Sequence, residues 1–505
     1  MQHPLAFPSV IIPRPMRTFY LALLTYWLNI SLTSATQPNV LFLVVDDLRA
    51  WTGCLNKGYP GEIFTPNIDQ LAKQGRLFTN AHVPSPKCGP CRASVLTGQL
   101  PSQLGIYGNG QWLHPNHPNL TSLPKHFKQN GYHTVGAGKI THHTAGFNPP
   151  NEWHDFQEIE WEDPWDRPKS TYPNKTQRPA PEIYPISGLN QRHHELDWGS
   201  LPHTYEYHDP KTTNYAKHFL SNYQGNKPFF LACGIFRPHL PWYAPKEYFD
   251  LYPLDKIRIP LGLKPNDRDD LPPSAKRITH SKHFDLISQS AKYKQAIQAY
   301  LASISFADAQ IGRVLTALKA SKHHKNTIIV LWSDHGWHHG EKNHWHKWTL
   351  WENATQIPLI IAAPELPQPG ISTDAPVSAL SLYPTLVDLC RLPMPNQSFD
   401  EESLRPLLEN PSAPWKHAVV IQHARGSCAV RSRNHRYILY ANGDEELYDH
   451  TKDPYEWTNK AHEPSSKPVI NKLKKFATTQ WHDNVPSKNA FHFDPHSYTW
   501  KRKTN

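Results

Sequence analysis

Three short runs in this 505-residue sequence carry side chains whose types and spacing could do chemistry. The first is Cys88-Gly89-Pro90-Cys91-Arg92, which continues into Ala93-Ser94-Val95-Leu96-Thr97-Gly98. A Cys-x-x-Cys pair can form a redox-active dithiol if a strand leads directly into the first cysteine. Here the preceding residues are Ala81-His82-Val83-Pro84-Ser85-Pro86-Lys87, and two prolines argue against a regular strand. A structural disulfide or a buried thiol pair in a tight turn is a further reading. The second and third runs are Asp46-Asp47 and Asp334-His335, each placed after a strongly apolar stretch. Their carboxylates are hard oxygen donors of the kind that hold Ca²⁺ or Mg²⁺. Taken singly, an Asp pair after a strand is more often a cap or turn, and a lone His is more often structural. Their joint occurrence with the Cys88 run makes them candidates.

These runs need elements to bring them together. Asn39 to Val45 is continuously apolar after its first residue, the pattern of a strand buried on both faces of a parallel sheet, and it ends at Asp46-Asp47. Thr327 to Ser333 is a second such strand and ends at Asp334. Pro228 to Gly234 and Pro358 to Ala362 are two more, and His133 to Gly136 is a short one. Helices are expected from Thr65, as N-cap, through Ala72, from Leu120 to Asn130 before Gly131, and from Tyr293 to Leu318. Alternating apolar strands and helices predict an α/β fold, a large mostly parallel sheet sandwiched by helices. Open sheets of this kind place ligands at the carboxyl ends of their strands. Residues 148–210, rich in Pro, Trp, His and Asp, read as a long ordered loop region. After about Gln422 short alternating runs predict a small C-terminal antiparallel sheet with a hairpin at Asn442-Gly443. A helix from Pro468 to Trp481 is expected to pack on it and close the chain. The organisation is thus residues 1–35, a catalytic domain over 36–425 and a C-terminal subdomain over 426–505.

The opening segment reads as a signal peptide. Arg14 and Arg17 precede an apolar run from Phe19 to Leu28, and small residues follow at Thr33-Ser34-Ala35. The run is too short to span a bilayer stably, so the expectation is a secreted or periplasmic protein, lysosomal in a eukaryote, without stable membrane insertion. The formal charge of +10 fits a polyanionic partner. No nucleic-acid-binding signature accompanies it, so no nucleic-acid partner is expected; a sulfated polysaccharide is an equally good polyanion, and charge alone does not decide between it and general solubility. Forty-nine Pro, 17 Trp and 22 Tyr fit aromatic-walled loops that contact sugar. Six cysteines do not make a disulfide scaffold. Asn119 and Asn353 head glycosylation triplets, which also arise by chance.

The sequence resembles type I sulfatases of the alkaline-phosphatase superfamily, and within them the iduronate-2-sulfatase group. Besides Cys-x-Pro-x-Arg at Cys88, the matching stretches include Asp46-Asp47-Leu48-Arg49, Gly138-Lys139-Ile140-Thr141-His142 and Pro238-His239-Leu240-Pro241. Ser333-Asp334-His335-Gly336-Trp337, Gly340-Glu341 and Trp345-His346-Lys347 complete the set. The resemblance implies that Cys88 is oxidised to formylglycine by a formylglycine-generating maturation enzyme. It implies one Ca²⁺ held by Asp46, Asp47, Asp334, His335 and the modified Cys88. Arg92 would hold the formylglycine and pair with the carboxylates. Lys139 and His142 would contact the formylglycine diol and sulfate, His239 and Lys347 the sulfate and bridging oxygen, with His239 as proton donor and His142 as base. The expected activity is hydrolysis of a sulfate ester on a sugar, with iduronate-2-sulfate the nearest substrate and an algal polysaccharide the runner-up. A phosphonate or phosphodiester hydrolase of the same superfamily, a polyanion-binding protein and a thioredoxin-like redox protein are the rivals. Cys91 departs from the small residue usual in this group, and the Trp153 to Trp198 segment does not obviously match. Either His142 or His143 could be the working base, the family spacing favouring His142. His338, His339, His344 and His346 are expected to be solvated loop histidines rather than a second metal site.

Overall fold

The computed structural model describes residues 37–142, 146–157, 186–189, 196–201, 207–279 and 281–504. Residues 1–36, which include the segment expected to be a signal peptide, His143 and most of the 148–210 stretch lie outside the described residues.

The apolar runs become the middle of a seven-stranded sheet. Its strands are β1 (Asn39–Val45), β2 (Arg76–Leu77), β3 (His133–Gly138), β4 (Asp155–Gln157), β5 (Phe229–Ile235), β6 (Thr327–Ser333) and β7 (Leu359–Ala362). They lie in the order β2-β7-β6-β1-β5-β3-β4. β1 pairs in parallel with β5 and β6, in register from Val45 to Ile235 and Ser333. Asp46 and Asp334 therefore leave the sheet side by side at one edge. β7 runs antiparallel to β6, so the sheet is mixed at that side and parallel through its centre. Every residue of β1 is buried. Leu41, Leu43 and Val45 face one apolar cluster, and Val40, Phe42 and Val44 face the other, which is the two-residue period of a strand covered on both sides.

The first cluster is covered by helix α1 (Pro66–Gln74), α4 (His208–Asn222) and the 28-residue α5 (Tyr293–Ala320). Helices α2 (Cys88–Thr97), α3 (Leu123–Gln129) and α6 (Leu382–Leu389) cover the second. Two helix starts differ from the sequence reading. Thr65 sits at the N-cap position of α1 but its side chain does not cap; its hydroxyl oxygen accepts from Gly53 N–H at 2.8 Å. The free N–H groups of Asn67 and Ile68 instead donate to the Asp308 carboxylate of α5, at 3.2 and 2.8 Å. Helix α3 begins three residues late, at Leu123, because Ser122 accepts from Lys125 N–H.

The C-terminal sheet is antiparallel: β8 (Val419–Ala424), β9 (Ser427–Arg431), β10 (His435–Leu439) and β11 (Glu445–Asp449), in sequential order. The expected boundary at 426 thus falls inside the β8–β9 hairpin, and residues 38–505 form one compact unit. Helix α7 (Lys467–Lys474) packs on this sheet but ends seven residues before Trp481. There the chain turns to let Thr478 accept from Gln422 Nε2 at 2.6 Å. Nor does α7 close the chain. A further hairpin follows, β12 (Phe491–Asp494) and β13 (Thr499–Arg502). No helix among the described residues is long and apolar enough to cross a membrane.

Candidate active site

Cys88 is the first residue of α2, and no strand leads into it: residues 83–87 are irregular. Its thiol is fully buried, and burial pushes it up from its ordinary pKa against the pull of Lys139 and Lys347. Burial raises Cys91 further still. A dithiol reductase needs the opposite, an accessible and acidified sulfur. Both sulfurs are free thiols on the same helix. The redox reading fails on burial, and a thiol this well shielded is a poor nucleophile as it stands.

What surrounds the sulfur is charged. Lys347 Nζ lies 3.3 Å and Lys139 Nζ 3.8 Å from Sγ, and His335 Nε2 lies at 3.2 Å. Arg92, one turn along α2, donates through Nε to Asp334 Oδ2 at 2.8 Å and through Nη2 to Asp46 Oδ1 at 3.0 Å. Its Nη1 reaches the carbonyls of Lys139 and Ile140. One guanidinium thereby ties together the ends of β1 and β6 and the turn after β3. That turn is made by Gly138, at φ +77°, where a Cβ would stand 2.1 Å from Gly234 O. Only glycine fits, and the turn sends Lys139 inward onto Asp46 Oδ2.

Asp47 adopts φ +60°, a left-handed conformation that is costly for a non-glycine residue. It is held there by its own N–H donating to Asp334 Oδ1 at 3.1 Å and by the Tyr300 hydroxyl donating to its carbonyl at 2.7 Å. Its Oδ1 accepts from Lys347 Nζ at 2.7 Å. Burial, partly offset by Lys347 and His335, pushes the Asp47 carboxyl up to about 7. Burial acts likewise on Asp46, but the facing cations, Lys139 foremost, hold it well below the usual carboxylate range.

Two observations test whether these residues fit a divalent cation. Asp47 Oδ2 is buried with no hydrogen-bond partner. His335 Nδ1 lies 3.1 Å from Gly336 O and must carry the ring proton to bond it, so Nε2 presents a lone pair. That lone pair faces Asp47 Oδ1 at 3.3 Å and Asp334 Oδ2 at 3.6 Å. Acceptors facing acceptors in a dry pocket ask for a cation. Ligand atoms of Asp46, Cys88, Asp334 and His335 all lie within 4.8 Å of one another, as do those of Asp46, Asp47, Cys88 and His239. The donor set fits Ca²⁺ or Mg²⁺.

His239 is fixed by Nδ1 on Leu240 O at 2.6 Å, which leaves Nε2 3.9 Å from Asp47 Oδ2. Burial lowers its pKa well below the ordinary value. His142 stands three residues after Lys139, half-buried, with its ring 5.5 Å from Phe147. The other nine expected residues converge within hydrogen-bond or ligand distance of the Cys88 environment.

The four histidines after Trp337 are not solvated. His338 bonds Thr349, His339 meets Arg49 and stacks on Trp51, and His344 meets Lys347 O at 2.9 Å. His346 lies between Trp337 and Trp348, its ring centre 4.3 Å from each, stacked on Trp348 and tilted against Trp337. They build the wall that carries Lys347. Arg49 reinforces it through Glu341 at 3.0 Å and through the Oδ1 of half-buried Asn353 at 2.5 Å. Arg436 of β10 pins the same segment by donating to Leu350 O at 2.8 Å. Trp348 went unnoticed in the sequence. It follows Lys347, adopts φ +71° and exposes 41% of its surface. A bulky residue in that conformation beside a reactive centre marks a built feature, but nothing in the residue types announced it.

Residues 38–392 match the family model described as Sulfatase, and residues 340–482 match that of N-sulphoglucosamine sulphohydrolase, C-terminal. A Formosa agariphila protein named sulfatase is 37% identical over 487 residues, covering 93% of this chain and 89% of that one. Human iduronate 2-sulfatase is 32% identical over 418 residues, covering 72% of each. Among solved structures, one in complex with its substrate D-glucosamine-2-N,6-O-disulfate superposes with a TM-score of 0.67 at 22% identity, over 87% of this chain and 97% of that one. A phosphonate monoester hydrolase from Silicibacter pomeroyi superposes at 0.68, also at 22% identity, over 87% and 94%. These two show the shared fold, the alkaline-phosphatase-like architecture.

Proposed function

The chain belongs to the sulfatase family, hydrolases of sulfate esters, and from that premise we propose that it desulfates a sulfated carbohydrate with a formylglycine made from Cys88 and a Ca²⁺ held beside it. The observation that carries the reading is the convergence of three carboxylates, three cations and two histidines on one buried, unactivated cysteine.

Asp46, Asp47, Asp334 and His335 would hold the ion, which supplies Lewis-acid stabilisation of a sulfate oxygen. Oxidised to formylglycine, position 88 supplies a hydrated aldehyde: one hydroxyl to act on sulfur and a second through which sulfate is released, which a serine would lack. Lys139 and Lys347 flank the same point and bind the anionic ester oxygens. They are fixed before substrate arrives by Asp46 and Asp47, so they spend no reorganisation on the developing charge. The three carboxylates match Arg92, Lys139 and Lys347 in charge, so a divalent cation leaves the pocket positive and suited to a sulfate monoester. His239, held by Leu240 O through Nδ1, turns Nε2 toward the departing sugar oxygen and would give it a proton from the imidazolium form, which must first be charged at Nε2. His142 takes the proton from the second hydroxyl. The relatives named iduronate 2-sulfatase support a sulfated uronate as substrate, and the phosphonate hydrolase fold makes phosphonates the control.

The test is product release from matched esters. Matured enzyme should liberate sulfate from sulfated saccharides and from a small aryl sulfate, with phosphonate turnover far slower. Phosphonate hydrolysis exceeding sulfate hydrolysis would replace this reading. The export expected from the first 35 residues belongs to the same proposal, because sulfated polymers are met outside the cell; fractionation of the producing cells tests it.

A further inference from the structure

The C-terminal segment lies beyond both family matches, which end at residues 392 and 482. It is nevertheless fastened tightly. Val485 N–H donates to Gly105 O at 3.0 Å and Lys488 N–H to Gly110 O at 2.6 Å. Gln111 and Asn116 donate to the carbonyls of Val485 and Pro486, at 2.7 and 3.1 Å. The β12–β13 hairpin wraps Trp112 with Phe491, Phe493 and Trp500, at 5.8 to 6.5 Å between ring centres.

This segment is tied to the catalytic cysteine by two short routes. Gly89 N–H donates to Asn109 Oδ1 at 2.9 Å, and Asn109 precedes the Gly110 that holds Lys488. On the other side Thr141, two residues past Lys139, donates to Asn148 Oδ1 at 2.7 Å, and Asn148 N–H donates to the Tyr498 hydroxyl at 2.7 Å. A hairpin that lies past both family matches is thus built against the two loops that flank Cys88 and Lys139.

Between hairpin and core lies a hollow of about 600 Å³, within the range of small-ligand sites. Among the described residues its ionisable lining residues are His114, Lys125 and Arg502, with no carboxylate in the lining itself, although His114 Nδ1 lies 3.7 Å from Glu152 Oε1 behind it. The nearby Glu152 is buried and accepts from the Ser122 hydroxyl at 2.5 Å. Trp500 and His114 lie nearly parallel, 5.8 Å apart, and Arg502 is exposed. Flat aromatic faces pack against the C–H face of a pyranose, and a lysine with an arginine fork suits a sulfate or carboxylate group on it.

We propose that the C-terminal hairpin forms a second saccharide subsite, which takes an anionic sugar residue of the polymer beyond the residue carrying the cleaved ester. This rests on the carbohydrate-sulfatase reading above and adds that the substrate is longer than one sugar.

The experiment uses full-length matured protein with Trp500→Ala and Arg502→Gln. The readout is the ratio of kcat/KM on a sulfated oligosaccharide to that on a small aryl sulfate. Each substitution should lower this ratio about tenfold, through KM, as for one lost charged or stacked contact. A ratio within twofold of the wild type for both variants would overturn the subsite. Equal losses on both substrates for Arg502→Gln, an exposed residue, would also overturn it in favour of a bracing role. Calorimetry on the Cys88→Ala background supplies the second readout. The sulfated oligosaccharide should bind about tenfold more weakly after Arg502→Gln, and its desulfated counterpart should be indifferent to that change. Binding that ignores sulfate would refute the anionic assignment. A wild type that hydrolyses no sulfate ester, yet binds the oligosaccharide through Arg502, would sink the catalytic reading and leave the subsite standing.

Discussion

Replacing Arg92 by Met keeps much of the side chain's volume and removes its charge and fork. The structure says what is stranded. Asp334 Oδ2 loses its 2.8 Å partner, Asp46 Oδ1 loses its 3.0 Å partner, and two carbonyls after β3 lose a shared donor, all with at most 1% side-chain exposure for the ion-paired groups. Asp46 retains Lys139, whereas Asp334 keeps only the Asp47 N–H and the His335 edge. Breaking one partner of a buried pair costs about 3–5 kcal/mol. For chains of 150–250 residues 1 kcal/mol moves the melting midpoint about 2–4 °C, and the shift shrinks with size, so a fall of roughly 5 °C is expected. Differential scanning fluorimetry measures it, and sulfate release should fall by about 10²-fold or more because β1, β6 and the Lys139 turn lose their common anchor. Excess Ca²⁺ should restore part of the melting temperature and none of the alignment. An Arg92→Met protein that melts like the wild type and keeps more than a third of its activity would refute the claim that this guanidinium assembles the site.

Chelation should remove activity and lower the melting midpoint, since an ion at 100 times its dissociation constant contributes about 2.7 kcal/mol; full activity in protein shown to be metal-free would contradict the cradle. Cys91→Ala should retain most activity, because Cys91 is packed in the apolar cluster under the sheet; loss equal to that of Cys88→Ala would revive the dithiol. Trp348→Ala should raise KM for saccharides about tenfold, as for one lost aromatic contact, while sparing a small alkyl sulfate, because its exposed ring lies beside Lys347 with one face against His346; equal effects on both esters would make it a packing residue.

The positions of the chemistry were legible because the strands that end in it are apolar on both faces. Asn39–Val45 and Thr327–Ser333 could be little else, and their parallel register carries Asp46 and Asp334 to one edge. Features that depend on distant partners were not. Thr65 looks like a cap, but Asp308, some 240 residues away, caps the helix instead. Four closely spaced histidines look solvated, yet they are buried among Arg49, Thr349, Lys347 O and two indoles, and each keeps one ring nitrogen without a hydrogen-bond partner. Helix α7 ends at Lys474, and beyond it the Thr478 hydroxyl accepts from Gln422, a partner 56 residues away that the local pattern does not show. The C-terminal hairpin went unseen because its aromatic residues are held by Trp112, far away in sequence. The resemblance supplied Lys139, His239 and Lys347, which residue type alone would have left on the surface.

The central claim is that Cys88 acts only after oxidation to an aldehyde. Mass spectrometry of the peptide carrying residues 88–92, on preparations made with graded amounts of the maturation enzyme, gives the aldehyde fraction directly. Sulfate release per mole of protein should rise in proportion to that fraction and extrapolate to zero when every Cys88 is a thiol. Full turnover with Cys88 intact, or activity that tracks a Cys88–Cys91 disulfide, would contradict it.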